Sequence, residues 1–211
     1  MEIEVYKADG SKTGRTVKLN ENVFGIEPND HVLYLDVKHY MANQRQGTSS
    51  TKEKWAVAHS TKKIKKQKGT GGARAGSIKS PVFKGGGSVF GPQPREYNTK
   101  LNKKVKLLAR LSALSYKAKE SNIIVVENLS IETPKTKLYK DFLNNFNIFD
   151  KKSLIVLGEL NKNVYLSSRN LSKSKVVTSS NLNTYDVLNC QTLVLEEKAL
   201  DYFNSNLLGN R

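Results

Sequence analysis

Between residues 43 and 104 the chain carries 15 Lys and Arg against two acidic residues, Glu53 and Glu96, a local charge of +13. The same stretch holds nine of the 14 glycines and three of the five prolines. Such a stretch cannot build a core. Residues 61–87 offer only Ile64, Ile78, Val82 and Phe83 as large apolar side chains. Low hydrophobicity with dense like charge predicts a segment that is disordered alone and orders on a polyanion. The bland alternative is a solvated linker without a partner. Charge this dense repels itself unless something neutralises it, which favours the polyanion.

The formal net charge of the whole chain is +16, so the flanks are almost balanced. They read as ordinary folded protein. Residues 3–6 and 15–19 are short strands joined by the turn-rich Ala8-Asp9-Gly10-Ser11. From Asn29 or Asp30, a helix is expected to about Gln44, with Leu33, Val37, Tyr40 and Met41 on its apolar face. After the basic segment, Asn98 or Thr99 caps a second helix whose stripe is Leu101, Val105, Leu108, Leu111 and Leu114. A buried strand at 122–126 follows. Thr133-Pro134 opens a helix with Leu138, Phe142 and Phe146 inward. Further strands are expected at 154–157, 175–178 and 192–195. Short helices separate them at 164–168 and 184–188, and a closing helix covers 196–208. Apolar strands alternating with helices imply an α/β fold, three layers with a mainly parallel sheet covered on both faces. The expected organisation is one globular domain, residues 1–42 and 105–211. A long extended basic loop with its stem, residues 43–104, is inserted between two helices.

The glycine-rich stretch Gly69-Thr70-Gly71-Gly72-Ala73-Arg74-Ala75-Gly76 invites a nucleotide reading, which its context rejects. No Gly-Lys-Ser or Gly-Lys-Thr closes it as in a phosphate loop. No buried strand leads into it as in a dinucleotide fold. His31, His39 and His59 show no metal-ligand spacing with Cys190 or with carboxylate pairs. Cys190 precedes an apolar strand and reads as a buried, inert thiol. No nucleophilic triad suggests itself. The expectation is therefore a non-enzyme without cofactor, metal or small-molecule substrate. No run approaches the roughly 18–20 apolar residues of a membrane helix. The opening residues read as a strand rather than a secretory signal, so a cytoplasmic protein is expected.

Within the segment, Lys62, Lys63, Lys65, Lys66 and Lys68 cluster within seven residues. Ammonium groups neutralise phosphates without reading base sequence. The surrounding glycines let backbone amides approach a crowded anionic surface. Long, thin and cationic suits threading between folded RNA helices. Trp55, Phe83, Phe90 and Tyr97 either stack on unpaired bases or pack the root of the segment. Packing is expected for Trp55 and Phe90.

Several runs then resemble one family. They are Arg45-Gln46-Gly47-Thr48, Gln67-Lys68-Gly69-Thr70-Gly71, Ala73-Arg74-Ala75-Gly76-Ser77-Ile78-Lys79-Ser80-Pro81, Gly85-Gly86-Gly87, Phe90-Gly91-Pro92 and Pro94-Arg95. Downstream, Asn102-Lys103-Lys104, Val125-Val126-Glu127, Thr133-Pro134-Lys135-Thr136-Lys137 and Ser168-Arg169-Asn170-Leu171 continue the likeness. In this order they resemble the universal large-subunit ribosomal protein L4 family in its bacterial form. The resemblance implies a structural constituent of the large ribosomal subunit, located in cytoplasmic ribosomes. Implied partners are large-subunit ribosomal RNA, neighbouring ribosomal proteins and the nascent polypeptide. It implies RNA contacts from Arg45, Gln46, Thr48, Lys52, Lys54, Lys62, Lys63, Lys65, Lys66, Gln67, Lys68, Gly69, Thr70, Gly71, Arg74, Lys79, Lys84 and Arg95. Lys63, Ile64, Lys65, Lys66, Gln67, Lys68 and Gly69 would form the tip that lines the exit tunnel. The chain departs from the family pattern in two places. Lys63-Ile64-Lys65-Lys66 replaces a run with Pro and an aromatic, and Gly72 stands where Arg is common. A free RNA-binding regulator of gene expression is the alternative reading, and both roles can belong to one protein.

Overall fold

The computed structural model describes residues 1–207. Contacts divide the chain into two compact units, Met1–Met41 with Lys100–Arg211, and Ala42–Thr99. The first unit holds the sheet and both apolar cores.

Strands β1 (Glu2–Tyr6) and β2 (Lys12–Lys18) form an antiparallel hairpin with Glu2 opposite Lys18. The remaining strands, β3 (Ile123–Val126), β4 (Ser153–Leu157), β5 (Ser174–Thr178) and β6 (Thr192–Glu196), are all parallel to their neighbours. The sheet order is β2-β1-β3-β6-β4-β5, so β6 is laid last between β3 and β4. This is the expected α/β class with a mostly parallel sheet.

Side chains alternate across these strands. Val125, Leu154, Val156, Leu193 and Leu195 enter one core, while Val126, Ile155, Leu157 and Val194 enter the other. Both faces are therefore dry, and each buried aliphatic contributes roughly 1.5–3 kcal/mol. The first core is closed by α1 (Glu21–Phe24), α2 (Asp30–Asn43), α3 (Lys103–Lys119), α6 (Thr184–Asn189) and α7 (Glu197–Tyr202). The second is closed by α4 (Thr136–Asn145) and α5 (Lys162–Ser168).

Asparagines start several helices by accepting free amide N–H groups of the first turn. Asn29 Oδ1 accepts from Val32 at 3.1 Å, Asn20 from Asn22 at 3.0 Å, and Asn183 from Asp186 at 2.7 Å. α1 gave no periodic signal in the sequence, because four residues are too few to show one.

Three helices differ from expectation. On α2 only Leu33 is buried, and Met41 at the end of the expected face is exposed. Tyr40 instead stacks on Tyr185 with ring centres 4.9 Å apart, and Thr184 Oγ1 donates to Asp36 at 2.5 Å. α3 begins at Lys103, not at 98 or 99, because Asn102 is extended and its carbonyl accepts the first helical amides. Leu101 thus precedes the helix, and the buried face is formed by Ala109, Leu111, Ala113, Leu114 and Ala118. α4 begins at Thr136, because the carbonyl of Thr133 is taken by Lys135 N–H in a tight turn. That start leaves Leu138 exposed and puts Tyr139 inside, where its hydroxyl pairs with Ser174 Oγ at 2.6 Å. The closing helix is short. α7 ends at Tyr202 and a π-type turn covers Phe203–Leu207, while the expected Leu208 end lies outside the described residues. No helix among the described residues is long and apolar enough to cross a membrane.

Candidate nucleic-acid interface

The second unit, Ala42–Thr99, contains two limbs of chain joined by backbone bonds in antiparallel register. Arg95 N–H donates to Gly47 O at 3.1 Å, Thr51 N–H to Pro92 O at 3.0 Å, and Ser88 N–H to Lys52 O at 2.9 Å. Farther along, Ser77 Oγ donates to Ser60 O at 2.9 Å and Ile64 N–H to Gly76 O at 3.1 Å. Lys63 and Ser77 form an antiparallel bridge.

Glycine permits these approaches. Gly47 has φ +67°, and a Cβ there would collide with the carbonyl oxygen of Arg95. Gly86, Gly87 and Gly91 are similarly crowded, by Ser80, Lys54 and Thr51. A Cβ added at Gly69, Gly71 or Gly76 would meet nothing within 4 Å. The glycines near the root of the segment are thus explained by the segment's own packing, and those of its tip are not.

Residues 61–74 are all exposed. They include Lys62, Lys63, Ile64, Lys65, Lys66, Gln67, Lys68, Gly69, Thr70, Gly71 and Arg74. Lys63 Nζ hydrogen-bonds Gln67 Oε1 across this turn. Lys52, Lys54 and Lys84 are exposed on the limbs, and Thr48 is exposed near the root. Lys79 is half-buried, and its carbonyl accepts Gly87 N–H at 3.0 Å.

Charge is left unbalanced. Among the described residues, every ion pair involves side chains outside this unit. Both carboxylates of the unit have other places. Glu53 accepts Trp55 Nε1–H at 3.0 Å and the Gln93 amide at 2.9 Å. Glu96 lines a shallow cleft of about 430 Å³ together with Asn43, Arg45, Gln46, Tyr97 and Asn98.

In that cleft the Arg45 guanidinium lies over the Tyr97 ring, 3.6 Å from its centre, and the Arg95 guanidinium lies 4.7 Å from the same centre. A hydrogen bond with Arg95, then the charges of Arg45 and Arg95, hold the Tyr97 hydroxyl below its ordinary pKa. Arg45 and Arg95 were both expected at the interface. By sequence Tyr97 is only an aromatic that stacks or packs, and no spacing shows that it gathers two cations.

The expected packing of Trp55 and Phe90 is overturned. Trp55 is 80% exposed and Phe90 fully so. The Glu53 carboxylate holds the indole N–H, and Phe90 occupies a left-handed turn, φ +57°, ahead of the crowded Gly91. A bulky residue at positive φ is a strained position.

The chemistry available is that of an anion receptor with exposed aromatic faces. Lys and Arg without carboxylate partners among the described residues, open backbone at the tip and unburied rings are the groups that meet phosphates and bases. Among the described residues no three His, Cys, Asp or Glu side chains converge as metal ligands would.

A family model described as the ribosomal protein L4/L1 family matches residues 17–206. A protein of Flavobacterium johnsoniae named large ribosomal subunit protein uL4 is 60% identical over 207 residues, covering 98% of this chain and 99% of that protein. The uL4 protein of Christiangramia forsetii is 59% identical over 207 residues, covering 98% and 100%. That of Bacteroides fragilis is 57% identical over 208 residues, covering 99% and 100%.

Proposed function

The chain belongs to the ribosomal protein L4/L1 family, and from that premise we propose that its basic segment binds large-subunit ribosomal RNA and that its tip lines the polypeptide exit tunnel. The chain is a structural constituent of the large ribosomal subunit and not an enzyme. Its place is the ribosome, beside ribosomal RNA and other ribosomal proteins.

One observation carries the RNA reading: the cations of the second unit have no carboxylate partners of their own among the described residues. A folded protein ordinarily scatters both signs over its surface. Here one sign is concentrated and left for an external anion. Phosphates supply it, and if about ten cations meet phosphates, affinity falls by several orders of magnitude between low and moderate salt. Specificity then comes from the shape of the folded RNA and not from reading base edges. The tunnel role rests on the family resemblance of residues 63–69 and on their exposure. On this reading a growing polypeptide passes the tip.

Gradient sedimentation of extract at low and high salt tests the proposal, comparing the intact chain with a variant lacking residues 61–87. The intact chain is expected to stay with the large subunit through the salt wash, and the deletion to be released. Equal retention of both chains removes the anchoring role from the segment. An intact chain at the top of both gradients would leave free RNA regulation as the working reading.

A further inference from the structure

We propose that Tyr97 is a positioning residue that holds Arg45 and Arg95 as a two-guanidinium clamp for a phosphate group of the bound RNA. The inference rests on the RNA-binding reading above and adds to it a named subsite and a residue that touches no RNA to act.

Two guanidiniums do not share one small site without compensation, since like charges repel at short range. The Tyr97 ring supplies it. The face of an aromatic ring is electron-rich and attracts a cation placed over it. Arg45 at 3.6 Å and Arg95 at 4.7 Å from the ring centre are both within that reach. The backbone reinforces the arrangement. Arg95 N–H is bonded to Gly47 O at 3.1 Å, and the ring edge of Tyr97 lies 3.2 Å from where a Gly47 Cβ would stand. Gly47 thus lets the two limbs close with Arg45 and Tyr97 on opposite limbs beside each other. The lowered pKa of the Tyr97 hydroxyl agrees with two cations gathered on it.

The partner that this charge suits is an anion. Arg45 and Arg95 are exposed, and neither forms an ion pair among the described residues, although Glu96 lines the same cleft. Guanidinium presents a planar fork of N–H donors that fits phosphate oxygens in pairs; stacking does not use the edge of the Arg45 fork, and Arg95 keeps the donors not given to the Tyr97 hydroxyl. A clamp already assembled in the free chain loses little freedom when the phosphate arrives. Gln46, in the same cleft, adds an amide that can donate to the same group.

The test is filter binding of the full chain to transcribed large-subunit ribosomal RNA across a series of potassium chloride concentrations. Tyr97→Leu is expected to weaken binding about tenfold and to flatten the salt dependence by about one phosphate contact. Tyr97→Phe keeps the ring and should keep the slope. Arg45→Lys with Arg95→Lys keeps the charge but not the planar fork, and should weaken binding with Tyr97 intact. Combining Tyr97→Leu with Arg45→Gln and Arg95→Gln should add almost nothing to the arginine variant alone. An unchanged slope in Tyr97→Leu overturns the clamp, as does full additivity with the arginine changes. Should Leu also loosen the root, the lysine pair decides, and wild-type affinity in that variant overturns the clamp. Absence of binding by the unaltered chain would instead overturn the RNA reading itself, and the clamp with it.

Discussion

Gly47 and Arg95 lie so close that a Cβ on the first would collide with the carbonyl oxygen of the second, while Arg95 N–H donates to Gly47 O at 3.1 Å. Gly47→Ala therefore meets both a left-handed backbone, which costs roughly 1–2 kcal/mol for an L-residue, and a steric clash on top of it. Gly69→Ala meets the same backbone cost at φ +80° but open space. We expect faster amide exchange at residues 92–98 in Gly47→Ala and little change there in Gly69→Ala, read by exchange mass spectrometry. Equal exchange in the two variants would show that the root does not depend on this approach.

Trp55 is the only tryptophan of the chain and is 80% exposed. Its fluorescence in the free protein should be that of a solvated indole and open to acrylamide quenching. In the assembled subunit we expect quenching by acrylamide to fall at least several-fold, as a base or neighbour covers the ring. Unchanged quenching would mean that the exposed indole has no partner there.

Asp186 is buried at the start of α6, where Lys175 Nζ donates to both its oxygens at 2.6 and 2.7 Å and the Asn183 amide donates at 2.9 Å. Lys175 is itself about half exposed, so solvent screens part of that attraction. Asp186→Ala should cost about 1–3 kcal/mol in urea unfolding of the full chain, mostly through lost bonds to a charged group. Lys175→Met should cost more, because it strands the buried Asp186 carboxylate without its cation, whereas Asp186→Ala frees a half-exposed ammonium to water. A stability loss below about 0.5 kcal/mol for Asp186→Ala would place this network outside the energetics of the fold.

Cys190 is buried, and burial pushes its thiol up from 9.0 to about 11, against the opposing charge of Lys117. The thiolate is the reactive form, so folded chain should react slowly with iodoacetamide at pH 8 and unfolded chain quickly. The sign for stability follows from the same shift. The native state holds this proton longer than the unfolded state, so the contribution of Cys190 is full below pH 9 and declines above it. Equal labelling rates for the folded and unfolded chain would contradict its burial.

The α/β class was legible because hydrophobic runs such as Leu154-Ile155-Val156-Leu157 are too short for helices and too continuous for a half-exposed sheet. Helix starts were less legible. Thr133-Pro134 carries a strong start signal, yet the Thr133 carbonyl is spent on Lys135 and the helix begins later, which exchanges Leu138 for Tyr139 in the core. Only the partner hydroxyl of Ser174, 35 residues away, makes a buried tyrosine comfortable there, and no local pattern announces it. In the basic segment the charge was readable as a count, but the fate of the aromatics was not. Trp55, Phe90 and Tyr97 differ in what lies beside them: a carboxylate, open space and two guanidiniums respectively. Glu53 and Arg95 each stand two residues from their ring, whereas Arg45 reaches Tyr97 from the opposite limb.

Because the cations of the second unit have no carboxylate partners among the described residues, ionic strength acts on the free and the assembled protein in opposite senses. In the free chain added salt screens self-repulsion and eases compaction. In the complex the same ions compete for the phosphates that hold the segment. A newly made chain is thus most compact in the solution least favourable to its capture, and assembly is favoured by the low-salt condition that keeps the segment open.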